Sequence, residues 1–331
     1  MVIKVGINGF GRIGRMVFKI GFEDKDIEFI AVNDLTPIDN LAYLLKYDSV
    51  YGIYPKGVEV HGKNIKVGGK EIKIFDERDP AKLPWKKLSV DVVVESTGVF
   101  RHVDDARKHL KAGAKKVFVS APTKGGGKTL VKGVNEKEYD KGKHDIVNNA
   151  SCTTNCVAPI VKVLNDNLKV KKGFLTTIHA YTSTQNLIDG PNKKIRRGRA
   201  AAWNVIPTTT GAAKAVSEVI PELKGKFDGI ALRVPIPCGS ISDIVCSVEK
   251  ETSVEKVNQL FKNVSEHHLK GVLEYSEEEL VSSDILGNRH SAIVDANMTR
   301  VVNGNLVKVL AWYDNEWGFS ARMVDLIKIL V

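Results

Sequence analysis

Four cysteines in 331 residues are too few for a disulfide framework, which agrees with a reducing compartment. Long apolar runs are also missing, and none approaches the roughly 18 residues that a membrane-spanning helix needs. The opening MVIKVGINGF alternates like a strand and shows neither the basic flank nor the apolar stretch of a secretory signal. These absences argue against secretion and against an integral membrane protein, so the glycosylation patterns at Asn149 and Asn297 are read as chance. Internal repeats, low-complexity tracts and a Pro/Ser-rich linker are absent as well. Positive charge is in surplus, with 49 Lys+Arg against 39 Asp+Glu and a net +10. That balance suits phosphorylated metabolites, nucleic acid or an anionic surface, and selects none of them.

The length suggests two domains, each large enough for its own core. In the first half, short β-branched runs at 2–7, 28–34, 91–96, 116–121 and 145–150 alternate with helical patterns at 12–21 and 103–112. Strand-helix alternation predicts a doubly wound α/β domain with a mostly parallel, Rossmann-type sheet over residues 1–150. From Ser151 the texture changes to a helix near 153–167 and longer alternating strands. That pattern predicts an α+β domain over 151–315 with a largely antiparallel sheet. Residues 316–331 read as a terminal helix packing back on the first domain, and the two domains are expected to meet across a cleft.

Gly9-Phe10-Gly11-Arg12-Ile13-Gly14 is a GxGxxG motif, weak evidence when isolated. Here it follows a strand and opens a helix, and Asp34 stands 20 residues after Gly14 at the end of the next strand. The glycines permit a tight turn, close approach of a pyrophosphate and close helix–strand packing. Asp34 would accept from ribose hydroxyls and repel a 2′-phosphate, favouring NAD over NADP. A second glycine-rich stretch, Pro122 to Thr129, ends in GKT like an ATP- or GTP-binding loop. Its first required glycine is Pro122, so it reads as a surface loop, and a nucleoside triphosphatase is a poor alternative.

Ser151-Cys152-Thr153-Thr154-Asn155-Cys156 sits where a strand ends and a helix starts. The helix dipole and the free N–H groups of a first turn lower a thiol's pKa, making Cys152 a candidate nucleophile. Cys156, one turn deeper, reads as packed. No metal site is expected, because CxxxC is not a zinc-knuckle spacing and Cys238 with Cys246 supplies no matching pair. His179 is the candidate base, lying in a core strand among hydroxyls. His61, His102, His109, His144, His267, His268 and His290 fall on charged or loop segments.

Taken together these motifs resemble the phosphorylating glyceraldehyde-3-phosphate dehydrogenase family. The resemblance runs through INGFGRIGR (7–15), ESTGVF (95–100), NASCTTNCVAP (149–159), TTIHAYT (176–182), RAAAWNVIPTTTGAAKAV (199–216), LRVP (232–235) and WYDNEWGFSARMVDL (312–326). It implies a cysteine nucleophile at Cys152 and a base at His179, acting through a hemithioacetal and a thioester. It implies NAD contacts at Arg12, Ile13, Asp34, Arg78, Ser120 and Asn315, beside the motif glycines. By the same resemblance Ser151, Thr153, Thr182, Thr210, Gly211 and Arg233 hold the substrate phosphate and the attacking inorganic phosphate. A cytoplasmic homotetramer acting in glycolysis or gluconeogenesis is the further expectation.

Two readings compete. An erythrose-4-phosphate dehydrogenase shares SCTTNC but usually departs from the IHAYT and TTTG elements kept here. In a different class, Lys193, Lys194, Arg196, Arg197 and Arg199 within residues 192–199 raise an RNA-binding role. That segment lacks the interleaved aromatics on which bases stack, so nucleic acid is not expected as the primary partner; no membrane partner is expected, for want of a long apolar run.

Overall fold

The computed structural model describes residues 2–331, and its contacts divide the chain into two units. The first holds the chain up to Leu130, Glu136–Ala150 and Ser320–Val331; the second holds Val131–Asn135 and Ser151–Phe319.

The first unit begins with strand β1 (Ile3–Asn8), helix α1 (Arg12–Gly21), strand β2 (Ile27–Asn33) and helix α2 (Ile38–Lys46). Strands β3 (Val58–His61), β4 (Asn64–Val67) and β5 (Lys70–Phe75) follow, then β6 (Val92–Glu95), α3 (Val103–Lys111), β7 (Lys116–Val119), β8 (Lys128–Thr129) and β9 (Ile146–Asn148). The sheet order is β8-β9-β7-β6-β1-β2-β5-β4-β3. All neighbours from β8 to β5 run parallel, and the β5-β4-β3 meander is antiparallel. This is the doubly wound sheet expected from the alternation. The meander went unpredicted because its outer strand is largely exposed and lacks the continuous apolar run that marks β1 and β6. From β1 the chain crosses to β2 on one side and later returns to β6 on the other. The strand order therefore reverses beside the carboxyl end of β1, which is where such sheets open a crevice.

The second unit starts with α4 (Cys152–Leu168) and β10 (Val170–Ala180). It continues through β11 (Ile206–Thr209), α5 (Ala212–Val219), β12 (Phe227–Val234), β13 (Ser240–Val248), α6 (Val254–Glu266), β14 (Leu273–Ser276), β15 (Ala292–Val302) and β16 (Leu306–Tyr313). The sheet order is β11-β12-β10-β13-β16-β15-β14. Only the β10-β12 and β14-β15 pairs are parallel, so the sheet is largely antiparallel. Burial along β13 alternates at every residue, the mark of one covered face and one open face. Phe174 of β10 and Ile230 of β12 remain exposed.

Helix α7 (Trp317–Leu330) ends the chain. Its residues from Ser320 onward belong to the first unit, where Val324 lies beside Gly21 and Lys328 bonds Asp24 at 2.8 Å. No helix among the described residues is long and apolar enough to cross a membrane.

Candidate active site and dinucleotide pocket

At the carboxyl ends of β1, β2 and β6, a cavity of about 410 Å³ is lined by residues that include Gly9, Gly11, Asp34, Arg78 and Thr97. Three glycines shape it, each for a different reason. Gly9 has φ +90, and a Cβ there would lie 2.5 Å from the Thr97 nitrogen. At Gly14 a Cβ would come within 2.2 Å of the Gly9 carbonyl oxygen, so helix and turn touch backbone to backbone. Around Gly11 a Cβ would meet nothing within 4 Å. That open space lies at the start of α1, whose first turn has no side-chain cap and no acidic residue. The N–H groups of that turn and the positive end of the helix dipole therefore face space suited to a pyrophosphate.

The Asp34 carboxylate is fixed by the backbone N–H groups of Phe10, at 2.6 Å, and Thr36, at 2.9 Å. Arg78 is exposed at the rim. Arg12 and Ile13 open α1 outside the cavity lining, and Arg12 pairs with Asp48 at 2.7 Å. Ser120 follows β7, its N–H donating to the Glu95 carbonyl. Asn315 belongs to the second unit, where its Oδ1 accepts from Ser240 Oγ at 2.8 Å and Gly239 N at 3.2 Å. The Pro122–Thr129 stretch runs through three successive left-handed glycines into β8, not into a helix, and Lys128 is paired with Glu138. It lacks the helix start on which a phosphate-binding loop depends.

In the second unit, Cys152 is the first residue of α4 and Ser151 caps it, the Ser151 hydroxyl accepting from Thr154 N–H at 3.1 Å. Cys152 Sγ lies 3.3 Å from His179 Nε2 near the end of β10. His179 Nδ1 is 2.6 Å from the Ala180 carbonyl oxygen, which also accepts from Arg233 Nη1 at 2.9 Å. Arg233 Nη1 and His179 Nδ1 are 3.0 Å apart because two donors converge on one oxygen. The ring proton thus sits on Nδ1, and the Nε2 lone pair faces the sulfur. The parallel register that pairs His179 with Arg233 across β10 and β12 produces this arrangement.

Burial and the charge of Arg233 pull the His179 pKa from 6.5 down to about 3. Burial pushes the Cys152 thiol up, against the opposing pull of Arg233 and the Thr153 N–H. The helix start acts as the sequence suggested, but desolvation, invisible in a linear motif, outweighs it. Each partner alone is thus held neutral, and charge can form here only on both together, by transfer of the thiol proton to Nε2.

Tyr313, at the end of β16, was not singled out by sequence reasoning. Its buried hydroxyl bridges Thr153 Oγ1 at 3.0 Å and Thr177 Oγ1 at 2.8 Å, and its ring packs edge-on against His179 at 5.9 Å. Arg197 was seen only as one charge in a basic run. Its guanidinium bonds Thr184 Oγ1 and Thr208 Oγ1, both at 3.0 Å, and its charge bears on His179. Thr182 bonds Thr184 at 2.8 Å and so joins the Arg197 cluster, whereas Thr210 accepts from Ala212 N–H beside Gly211, the residue before α5. Cys156 is fully buried, and burial drives its thiol far above the ordinary range. Among the described residues no group of three or more His, Cys, Asp or Glu side chains gathers as a metal site.

A dinucleotide-type parallel sheet joined to an α+β unit that carries a partly accessible thiol against a buried imidazole defines a class of oxidoreductases working through a cysteine. Residues 3–103 match the NAD binding domain of glyceraldehyde 3-phosphate dehydrogenase, and residues 151–315 match its C-terminal domain. The chain is 55% identical over 330 residues to glyceraldehyde-3-phosphate dehydrogenase of Priestia megaterium, covering 100% of this chain and 98% of that protein. Glyceraldehyde-3-phosphate dehydrogenase 1 of Bacillus subtilis and the enzyme of Geobacillus stearothermophilus are each 55% identical over 326 residues, covering 98% of this chain and 97% of theirs. The chain belongs to the glyceraldehyde-3-phosphate dehydrogenase family.

Proposed function

We propose that the protein oxidises D-glyceraldehyde 3-phosphate to 1,3-bisphosphoglycerate with NAD and inorganic phosphate. The observation that carries this reading is the 3.3 Å contact of Cys152 Sγ with the unprotonated Nε2 of His179, beside the guanidinium of Arg233. Residues 1–150 with helix 316–331 form the NAD-binding domain, and residues 151–315 the catalytic domain. Gly9, Gly11 and Gly14 with Arg12 and Ile13 hold the pyrophosphate side, and Asp34 with Arg78 the adenosine side. Ser120 and Asn315 serve the nicotinamide side, the committed Oδ1 of Asn315 leaving its Nδ2 donor to a carboxamide. Bound NAD supplies the acceptor for the hydride lost from the substrate's C1.

Every other step belongs to the chain. The thiol proton of Cys152 passes to His179 Nε2 as sulfur attacks the aldehyde carbon, and His179 returns it to the new alkoxide, giving a hemithioacetal. Nε2 then takes the hydroxyl proton while the carbon is oxidised, leaving a thioester and an imidazolium. The imidazolium, with the N–H groups at the start of α4, stabilises the oxyanion when phosphate attacks the thioester. Collapse expels the Cys152 thiolate, which the imidazolium pairs, and releases the acyl phosphate. Thr182, Arg233, Ser151, Thr153, Thr210 and Gly211 hold the two phosphate groups. Arg197 adds a fixed charge to that set, since guanidinium and hydroxyl donors are what phosphate oxygens require.

The protein is cytoplasmic and a homotetramer in this reading. Leu187, Ile188, Ile195, Trp203 and Val205 are more than half exposed along one segment, a patch suited to a neighbouring copy. In the basic segment Lys194 and Arg197 bond threonines and Arg199 pairs with Asp189, which speaks against a dedicated RNA surface. In this reading nucleic acid is not the primary partner and no membrane partner is called for.

The test is initial-rate NAD reduction with glyceraldehyde 3-phosphate, with and without phosphate, beside NADP, erythrose 4-phosphate and a Cys152→Ser control. Phosphate-dependent turnover lost in the control supports the reading. Turnover indifferent to phosphate, faster with erythrose 4-phosphate, or surviving without Cys152 would sink it.

A further inference from the structure

Beneath the floor of the dinucleotide pocket lies a chain of buried polar side chains that the proposed chemistry does not use. Asn8, Asn33, Glu95, His109 and Trp85 are each less than 5% exposed. Sequence patterning puts His109 on a charged segment, but it lies on the buried side of α3 with Val103 and Ala106 and has no exposed surface. A helix whose other positions are mostly charged hides one inward-facing imidazole well.

The direction of every hydrogen bond follows from two backbone groups at one end and an indole N–H at the other. Glu77 N–H donates to Asn33 Oδ1, and the Glu77 carbonyl accepts from Asn33 Nδ2, both at 2.9 Å. Asn33 Nδ2 then also donates to Asn8 Oδ1 at 2.7 Å, which turns Asn8 Nδ2 onto Glu95 Oε2 at 2.6 Å. From the opposite end, the Trp85 indole can only donate, and its Nε1–H meets His109 Nδ1 at 3.0 Å. The imidazole therefore carries its proton on Nε2 and donates it to Glu95 Oε2, 3.0 Å away. Glu95 Oε1 receives the N–H and the hydroxyl of Thr97, whose oxygen accepts in turn from Val99 N–H at 3.0 Å. Four donors converge on one carboxylate, and the two that share Oε2, Asn8 Nδ2 and His109 Nε2, stand 3.4 Å apart.

The ends of this network are walls of the cavity. Asn33 precedes Asp34 and binds the backbone of Glu77 beside Arg78, while Thr97 and Val99 form the opposite side. We propose that Glu95 and His109 are positioning residues for the dinucleotide pocket, tying the Asn33–Leu35, Glu77–Arg78 and Ser96–Phe100 walls into one rigid unit. The inference rests on the reading of this pocket as the NAD site. Neither side chain touches the cofactor; both act through the loops they hold, by removing motion that binding would otherwise have to arrest.

NAD binding to the wild-type protein is measured first by calorimetry. Failure to bind there would remove the functional reading and this inference together, whereas a result confined to the variants tests the inference alone. Glu95→Gln turns one acceptor into a donor facing donors. It should raise KM for NAD at least tenfold more than KM for the aldehyde, with retained far-ultraviolet dichroism. Equal changes in both constants, tracking a lower melting temperature, would mean a structural role only and overturn the proposal. Trp85→Phe, which leaves His109 Nδ1 without its donor, should shift the same ratio in the same direction if Glu95→Gln does not fold. Independently, nitrogen-15 spectra of the native protein should show His109 neutral and protonated at Nε2; a ring protonated at Nδ1 would overturn the network.

Discussion

His179 meets Cys152 through its unprotonated nitrogen, with Nε2 3.3 Å from the sulfur, because the Ala180 carbonyl, 2.6 Å from Nδ1, claims the ring proton. One backbone oxygen in the next residue thus sets the direction in which the thiol proton can travel.

The first prediction concerns which thiol reacts. Cys152 is partly accessible and faces an acceptor, whereas Cys156, Cys238 and Cys246 are buried and burial raises Cys246 to about 12. Brief treatment of the native protein with iodoacetamide should add one group, on Cys152, in step with loss of activity. Cys152→Ser should lower turnover by about a thousandfold or more, the scale on which removing a covalent nucleophile acts. Peptide mass spectrometry that found Cys156 or Cys238 modified first would contradict the assignment.

A second prediction follows from the burial of His179. Its folded pKa of about 3 lies below the ordinary 6.5, so the unfolded chain binds the extra proton between those two values. The stability owed to keeping this ring neutral is whole above about pH 6.5 and drains away as pH falls toward 3. Urea midpoints of wild type and His179→Asn should therefore converge, or cross, between pH 7 and pH 4, the wild type losing stability faster. Parallel curves would show that the ring titrates normally. At neutral pH the variant should also lose turnover by about a hundredfold or more, the usual contribution of a positioned base.

Much of this was legible in one dimension because local chemistry specifies it. The βα turn with Gly9, Gly11, Gly14 and Asp34 is written within 26 residues, and the helix start at Ser151-Cys152 carries its own cap. What stayed hidden depends on strands distant in sequence. Tyr313 reaches Thr153 across 160 positions, and Glu95 reaches Asn8 across 87. Desolvation was hidden for the same reason, since the burial that raises the Cys152 pKa and the Arg233 charge that opposes it are supplied by the fold, whereas the Thr153 N–H that also lowers it is local. The exposed β3-β4-β5 meander lacked the apolar signal by which its neighbours were recognised.

Cofactor choice supplies a third prediction. Two backbone N–H groups pin the Asp34 carboxylate at the mouth of the pocket. In the proposed complex its remaining lone pairs would accept from ribose hydroxyls, and its charge would oppose a 2′-phosphate. Asp34→Ser should raise KM for NAD about tenfold or more, since hydrogen bonds to a charged group are worth about 1.5 to 3 kcal/mol. It should also raise kcat/KM for NADP. An unchanged NAD/NADP ratio would move the discriminating contact elsewhere in the pocket.

The three motif glycines allow packing and ligand approach to be separated. Gly14→Ala places a methyl carbon 2.2 Å from the Gly9 carbonyl oxygen, which Ser96 Oγ already holds at 2.7 Å. Backbone must move, and overpacking of this kind costs about 1 to 3 kcal/mol. A lower melting temperature is expected with or without NAD. Gly11→Ala is the opposite case: φ is −70 and no atom lies within 4 Å of the added carbon. Its melting temperature without cofactor should stay near that of wild type, yet NAD affinity should fall at least tenfold, because the methyl group occupies the approach to the α1 N–H groups. Normal NAD binding by Gly11→Ala would remove the helix start from the phosphate site, and an unchanged melting temperature in Gly14→Ala would contradict the contact between turn and helix. Only the open space at Gly11 distinguishes a turn built for a ligand from one built for packing alone.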